Sequence, residues 1–309
     1  MGRLTAICIS DRRGIQKHYV DNATLKADWG IDGDAHAGNW HRQVSILDQE
    51  KIDEFNAKGA NVIAGAFGEN LIVEGVDVLS LPIGSCIQVG GALLEITQRG
   101  KECHDHCQIY YKMGECIMPK DGMFTKVVIG GEIKVGDEIK IMEREIPFTA
   151  AVITLSDKCF KGEREDLSGP TIVNRLKEEG YEVVETILIP DEKKMLQQSL
   201  IRLCDQRDVS LVITTGGTGC APRDITPEAT KELFDKEVPG ISEAIRAESM
   251  KYTAHAMLSR GVSGIRNKTL IINLPGSPKA CLESMEVFLK PVKHALKLIR
   301  GEEKECARK

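Results

Sequence analysis

From Phe148 to Ile299 the chain alternates short, almost wholly apolar runs with amphipathic stretches of helical spacing. Phe148–Leu155, Val183–Ile189, Val209–Thr214 and Leu270–Leu274 read as strands. Pro170–Glu179, Asp191–Gln206, a segment opened by Thr226-Pro227, and Pro278–Ile299 read as helices. A strand that is apolar at every position is buried on both faces, and repeated strand–helix alternation implies a parallel sheet between two helical layers. The expected fold of this part is a three-layer α/β domain with a mostly parallel sheet. Ligands in such folds bind beyond the carboxyl ends of the strands.

The part before it is patterned differently. Val44–Leu47, Leu71–Val73, Cys86–Val89, Leu93–Thr97, Phe124–Ile129 and Glu138–Met142 are short runs bounded mostly by glycine turns. Asp48–Ala57 has helical spacing, with Ile52 and Phe55 on one face. Short strands with glycine turns predict a mainly β domain, a barrel or a strongly curved sheet. Residues 1–146 hold 16 basic and 22 acidic groups and 18 of the 29 glycines, whereas residues 147–309 hold 25 and 24 and 9 of the 11 prolines. The shift places the domain boundary at the polar junction Glu143–Pro147, giving domains 1–146 and 147–309.

The net charge of −5 excludes a strongly basic nucleic-acid binder. No apolar run approaches the roughly 18 residues of a membrane span, and the first residues carry no signal-peptide core. Ten irregularly spaced cysteines fit a reducing compartment better than a disulfide scaffold, so a cytoplasmic protein without membrane attachment is expected.

Chemistry concentrates at four strand ends of the second domain. Thr214-Thr215-Gly216-Gly217-Thr218-Gly219 follows an apolar strand directly. Its glycines let the backbone approach an anion, and Thr215 and Thr218 add hydroxyls. No Gly-Lys-Ser/Thr follows, so this is not a P-loop. Arg223-Asp224 comes next: a carboxylate beside a phosphate loop suits Mg²⁺, and a helix-terminal charge is the plainer role for Asp224. Asp191 follows the strand Val183–Ile189 and taken alone predicts a helix cap. Thr226 before Pro227 predicts an N-cap and first-turn pair. Ser156-Asp157 and Pro275-Gly276-Ser277 end two further strands. Lys158, Lys161, Arg164 and Arg223 are candidate phosphate partners, although Lys158–Asp166 also reads as a solvated loop.

Residues 148–301 resemble the molybdopterin adenylyltransferase family. The match runs through Thr154–Asp157, Pro190-Asp191, Thr214–Gly219, Arg223–Glu228 and Leu274–Pro278 in order. The resemblance implies transfer of AMP from Mg·ATP to molybdopterin with release of pyrophosphate. It implies Asp191 and Asp224 as essential carboxylates, with Mg²⁺ on Asp224 and also Asp191. Gly216, Gly217 and Gly219 would lie against phosphates, and Ser156, Asp157 and Ser277 would be pterin-side or loop contacts. The family is usually trimeric, so a homo-oligomer assembled through this domain is expected.

In the first domain Cys103-His104-Asp105-His106-Cys107 is followed by Cys116. Three readings stand side by side: a reactive, sulfur-carrying Cys103, a zinc site from Cys103, Cys107, Cys116 and a histidine, or ordinary thiols. His36 and His41, near Asp32 and Asp34, form a weaker candidate metal or anion site. Residues 1–142 resemble the MOSC domain through Gly33–Gly38, His41–Ser45, Phe67–Leu71 and Leu81–Gly84. That resemblance implies a β-rich fold that binds molybdenum cofactor or carries sulfur on Cys103, with Cys107 and Cys116 as further candidates. A cysteine desulfurase and the metal-insertion enzyme are the protein partners it implies.

The leading expectation is a bifunctional enzyme of molybdenum cofactor assembly, with ATP and molybdopterin as substrates. The alternatives are a non-catalytic pterin carrier or storage protein, and a nucleotide pyrophosphatase of the competence-damage-inducible type.

Overall fold

The computed structural model describes residues 2–101, 108–143 and 146–301. They fall into two compact units, Met1–Ile146 and Pro147–Lys309.

The first unit contains β1 (Gly2–Ile9), β2 (His18–Val20), β3 (Asn22–Lys26), β4 (Gly30–Ile31) and β5 (Val44–Asp48), then helix α1 (Gln49–Ala57). β6 (Leu71–Glu74), β7 (Cys86–Val89) and β8 (Ala92–Arg99) follow, then the short helices α2 (Gln108–Met113) and α3 (Met118–Asp121). β9 (Met123–Ile129), β10 (Gly131–Lys134) and β11 (Glu138–Met142) complete it. Seven strands close a barrel in the order β1-β11-β7-β8-β9-β5-β6 and back to β1. Only β5 and β6 pair in parallel, and α1 supplies the crossover between them. β3, β4 and β10 form a separate small sheet.

Alternation along each strand decides what fills the barrel. Leu4, Ile46, Val73, Ile87, Leu94 and Val127 belong to one buried cluster. Leu47 and Ile72 beside them, and Ala6 beyond the bulge that follows Leu4 in β1, belong to a second, packed under Ile52 and Phe55 of α1. The barrel-like expectation therefore holds. Strands β2, β3 and β10 are not legible as apolar runs, because charged, polar or small residues interrupt them, and β1, although Ala6–Ile9 is apolar, lies outside the predicted strands.

The polar anchor of this unit is a buried ion pair. Lys17 Nζ donates to both oxygens of Asp34 at 2.9 Å, and neither side chain is more than 1% exposed. Asp34 also accepts the amides of Ser10 and His36. Burial alone would raise the Asp34 carboxyl, but its bonds from His36 and Lys17 hold it well below the usual carboxylate range.

The second unit contains β12 (Thr149–Leu155), α4 (Asp157–Phe160), α5 (Ser168–Glu178), β13 (Glu182–Ile189), α6 (Lys193–Ile201), β14 (Leu211–Thr215) and α7 (Thr226–Lys231). β15 (Lys236–Glu237), α8 (Pro239–Ser249), β16 (Ser263–Arg266), β17 (Thr269–Leu274) and α9 (Pro278–Arg300) complete it. All seven residues of β12 are buried. Ala150 and Val152 face the cluster under α5 and α9, while Ala151, Ile153 and Leu155 face the cluster under α6. Burial on both faces is why β12, β14 and β17 carry no charged residue, whereas the edge strand β13 is mostly exposed or half-buried and carries Glu182 and Glu185.

The sheet order is β13-β12-β14-β17-β16-β15. The first four strands are parallel, but β16 and β15 are antiparallel, so the sheet is mixed rather than simply a parallel one. The difference arises at Asn267, whose φ of 50° turns β16 straight back as β17 with no helix between. Ser263-Gly264-Ile265-Arg266 has no apolar run to announce it. Among the described residues no helix is long and apolar enough to cross a membrane.

Replacing Lys17 with Met leaves the Asp34 charge buried without its cation. The expected loss is about 3–5 kcal/mol from the stability of the first unit, read by urea unfolding of the full chain. A change under about 1 kcal/mol would show that the pair is not what holds this part of the unit together.

Candidate active site

Strand register brings four loops to one edge. Leu155 pairs with Ile189, Thr154 with Thr215, and Thr215 with Leu274, so the loops after β12, β13, β14 and β17 start side by side. The chain runs outward from β12 to β13, then returns past β12 to β14. The loops of β12 and β14 thus diverge at a topological switch point, where a crevice opens.

The glycine turn is seated by backbone. Gly216 and Gly217 have φ of 94° and 62°, the left-handed region. A methyl on Gly216 would lie 2.2 Å from the Leu155 carbonyl oxygen, and one on Gly217 would lie 2.4 Å from Thr226 Oγ1. Thr226 does not cap its helix. It is the first helical residue after Ile225, and its Oγ1 donates to the Gly216 carbonyl at 2.9 Å while its amide donates to the Gly217 carbonyl. Thr215 Oγ1 donates to the Pro275 carbonyl at 2.7 Å, tying the end of β14 to the last strand-end loop.

Asp191 does not cap a helix either, because α6 begins after Glu192. It forms a reciprocal bridge instead. Asp191 Oδ2 accepts the Asp157 amide at 3.1 Å, and Asp157 Oδ1 accepts the Asp191 amide at 3.2 Å. Arg223 holds Asp157 with two bonds of 2.8 and 2.9 Å and reaches Glu192 at 3.0 Å. Arg223 keeps the Asp157 carboxyl low. Burial, with the nearby charges of Asp157 and Asp224, pushes the Asp191 carboxyl up against the pull of the Asp157 amide and Arg223. Asp224 Oδ2 accepts the Ala221 amide at 2.7 Å. The two carboxylates flank the glycine turn: methyls built on Gly217 and Gly219 would lie 3.1 Å from Asp191 Oδ1 and 2.9 Å from Asp224 Oδ2.

These groups line one cavity of about 900 Å³. Ser156, Asp191, the run from Thr215 to Gly219, Asp224, Pro275 and Gly276 all face it. Asp157, Arg223 and Ser277 lie outside its lining. Arg164, Arg246 and His255 do line it. Arg164 comes from the charge-rich stretch after β12, which is not simply solvated: part of it forms α4, and Arg164 Nη2 returns to Ser156 Oγ at 3.1 Å. Arg246, on α8, donates to the Gly261 carbonyl at 2.9 Å. No motif surrounds Arg246 or His255, and only the packing of α8 and the loop after it brings them here.

The first unit has its own cavity, of about 1290 Å³, whose lining includes Lys17, His36, Trp40, Arg42, Lys101 and Cys116. Arg42 stacks over the Trp40 ring, 4.8 Å from its centroid. His36 and His41 have separate partners, since His41 Nε2 bonds Gln98 Oε1 at 2.8 Å. Cys103, His104, His106 and Cys107 lie outside the described residues. Among the described residues no group of three or more His, Cys, Asp or Glu side chains gathers to hold a metal.

The second unit is thus a doubly wound α/β protein with a strand-end cleft, the class in which phosphorylated ligands meet backbone amides. Residues 151–295 match the family described as "Probable molybdopterin binding domain", and residues 32–140 match the MOSC domain. Molybdopterin adenylyltransferase of Helicobacter pylori strain J99 is 46% identical over 152 residues, covering 48% of this chain and 86% of that enzyme. Molybdenum cofactor synthesis protein cinnamon of Drosophila melanogaster is 44% identical over 163 residues, 52% of this chain but 27% of that longer protein. A crystal structure of the molybdopterin biosynthesis enzyme MoaB from Thermus thermophilus is 47% identical, covering 50% of this chain and 97% of that one, with a TM-score of 0.48. The chain belongs to the molybdopterin adenylyltransferase family, enzymes of molybdenum cofactor biosynthesis, and carries a MOSC domain before that part.

Gly216→Ala is expected to destabilise the second unit by about 2–4 kcal/mol, from the left-handed backbone and the clash with Leu155. Thermal unfolding with and without ATP checks it. Unchanged stability and unchanged nucleotide binding would mean that the turn tolerates a side chain.

Proposed function

We propose that the second unit transfers AMP from ATP to the terminal phosphate of molybdopterin, with Asp191 and Asp224 as its catalytic carboxylates. The observation that supports this reading best is their placement on either side of the glycine turn, in one cavity. A phosphate oxygen of molybdopterin attacks the α-phosphorus of ATP, and pyrophosphate leaves. The attacking phosphate monoester is already ionised near neutral pH, so the reaction needs no general base. It needs two anions brought into line and their charge neutralised.

The residues present suit Mg²⁺. Each carboxylate has one oxygen bonded to a backbone amide and a second with no hydrogen bond among the described residues. Magnesium is commonly held by one or two carboxylates plus substrate phosphates rather than by an all-protein cage. When bound, it neutralises phosphate charge and fixes phosphate orientation. The chain supplies the rest. Amides of residues 217–219 donate to phosphate oxygens, that of Gly216 being engaged by the Leu274 carbonyl, and Ser156, Arg164 and Arg246 add a hydroxyl and two cations along the wall. Arg223, engaged with Asp157 and Glu192, acts by holding the loops together, and Ser277 and Asp157 support the cleft from outside its lining.

The first unit is proposed to bind molybdopterin or the finished cofactor in its cavity, or to carry sulfur on Cys103. Tethering the two units raises the local concentration of a labile intermediate at the second site. A cytoplasmic homotrimer assembled through the second unit, served by a desulfurase and a metal-insertion enzyme, completes the proposal.

The full chain, incubated with ATP, Mg²⁺ and molybdopterin, is expected to release pyrophosphate and form adenylyl-molybdopterin. Asp224→Asn should lower turnover about 100-fold or more. Retained pterin binding with no turnover in the unaltered chain would instead identify a carrier.

A pH profile follows from Asp191. Metal binding uses its ionised form, and its raised value moves the loss of that form to higher pH. The acid limb of kcat/KM reports the free enzyme and the free phosphate substrates, so the part of it due to Asp191, identified as the part lost in Asp191→Asn, should lie above the ordinary aspartate value of 3.8. A limb at or below that value would count against Asp191.

A further inference from the structure

We infer that Arg260, which lies outside the cavity lining, is a positioning residue that holds Asp224 against the glycine turn; this rests on the function proposed above. Arg260 sits on the loop before β16, about forty residues along the chain from the groups it holds. Its Nε donates to the Gly219 carbonyl at 2.6 Å, and its Nη2 donates to the Asp224 carbonyl at 2.7 Å. Its Nη1 pairs with Glu228 on α7, and its own amide donates to the Thr218 carbonyl at 3.0 Å. One planar guanidinium thus grips both ends of the segment from Gly219 to Asp224, plus the helix that follows.

Within that segment the Asp224 amide donates to the Ala221 carbonyl, and Asp224 Oδ2 accepts the Ala221 amide. These local bonds shape the turn but do not attach it to the sheet. Arg260 attaches it. Lysine cannot replace it, because an ammonium is a point donor and lacks the fork that spans two carbonyls and a carboxylate. The two carbonyls accept charge-assisted bonds, which are about twice as strong as neutral ones. Losing them lets the Asp224 carboxylate drift relative to the phosphates, and a displacement of about 1 Å can cost about 100-fold in rate.

The test uses Arg260→Gln and Arg260→Lys in the full chain, with Arg266→Gln as control. Arg266 makes a comparable pair with Asp205, at 2.8 and 2.6 Å, but sits at the far end of β16 from the glycine turn. Three quantities are read: kcat, the Mg²⁺ concentration giving half-maximal rate, and amide hydrogen exchange across residues 217–224. Both Arg260 variants are expected to speed that exchange about tenfold or more, lower kcat about 10–100-fold and raise half-saturating Mg²⁺ about tenfold. KM for molybdopterin should move less than about twofold, and Arg266→Gln should change none of the three. Guanidinium ion added to Arg260→Ala should restore part of kcat.

Unchanged exchange across residues 217–224 overturns the clamp, whatever the activity. Faster exchange with kcat and Mg²⁺ dependence unchanged overturns the positioning role. An unaltered chain that transfers no AMP overturns the reaction proposed above, and exchange then still decides whether Arg260 holds the turn.

Discussion

The site depends on one close approach of backbone to backbone. Gly216 lies against the Leu155 carbonyl with no room for a side chain, at the point where two adjacent parallel strands send their loops apart. Because the strands are parallel and in register, their carboxyl ends open on one edge. Because the chain reverses its direction of winding between β13 and β14, the loops of β12 and β14 separate and leave a cleft. The bonds from Thr226 to the Gly216 carbonyl and from Thr215 to the Pro275 carbonyl then fix the floor of that cleft.

Its electrostatics follow from a division of labour among three aspartates. Asp157 is neutralised by Arg223 and joined to Asp191 through reciprocal amide bonds. Asp191 keeps one oxygen toward the cavity, and Asp224 is held by its own turn. Two carboxylates therefore flank the glycine turn, in a cavity whose lining also holds Glu165, Asp166 and Glu283 beside the cations Arg164 and Arg246. The first unit solves its polar problem in the opposite way. Lys17 and Asp34 satisfy each other out of water, and the lining of its cavity keeps Arg42, Lys101 and His36 with no acidic side chain among the described residues.

The glycine run and the strand-end aspartates were legible in the sequence, because an apolar strand ending in glycine and polar residues has few physical explanations. The β/α alternation was legible for the same reason: strands buried on both faces are mostly apolar and carry no charged residue, as in β12, β14 and β17. β16 is not legible because Ile265 is its one large apolar residue among Ser263, Gly264 and Arg266, and its place beside β17 is set by the turn back at Asn267. Thr226 and Asp191 each read as helix caps, the commoner local role of those residues. Their bonds go instead to residues ten and thirty-four positions away.

Composition and periodicity alone determined two domains of different patterning and a ligand edge on the second, since burial imposes period and period is written in the residues. Tertiary structure alone decided which side chains share that edge. Arg246 and His255 reach the cavity, and Arg260 reaches the glycine turn, only because the chain returns to β16 beside it. A guanidinium bonding to backbone carbonyls places no constraint on the identity of its partners, so no motif in the sequence records the contact.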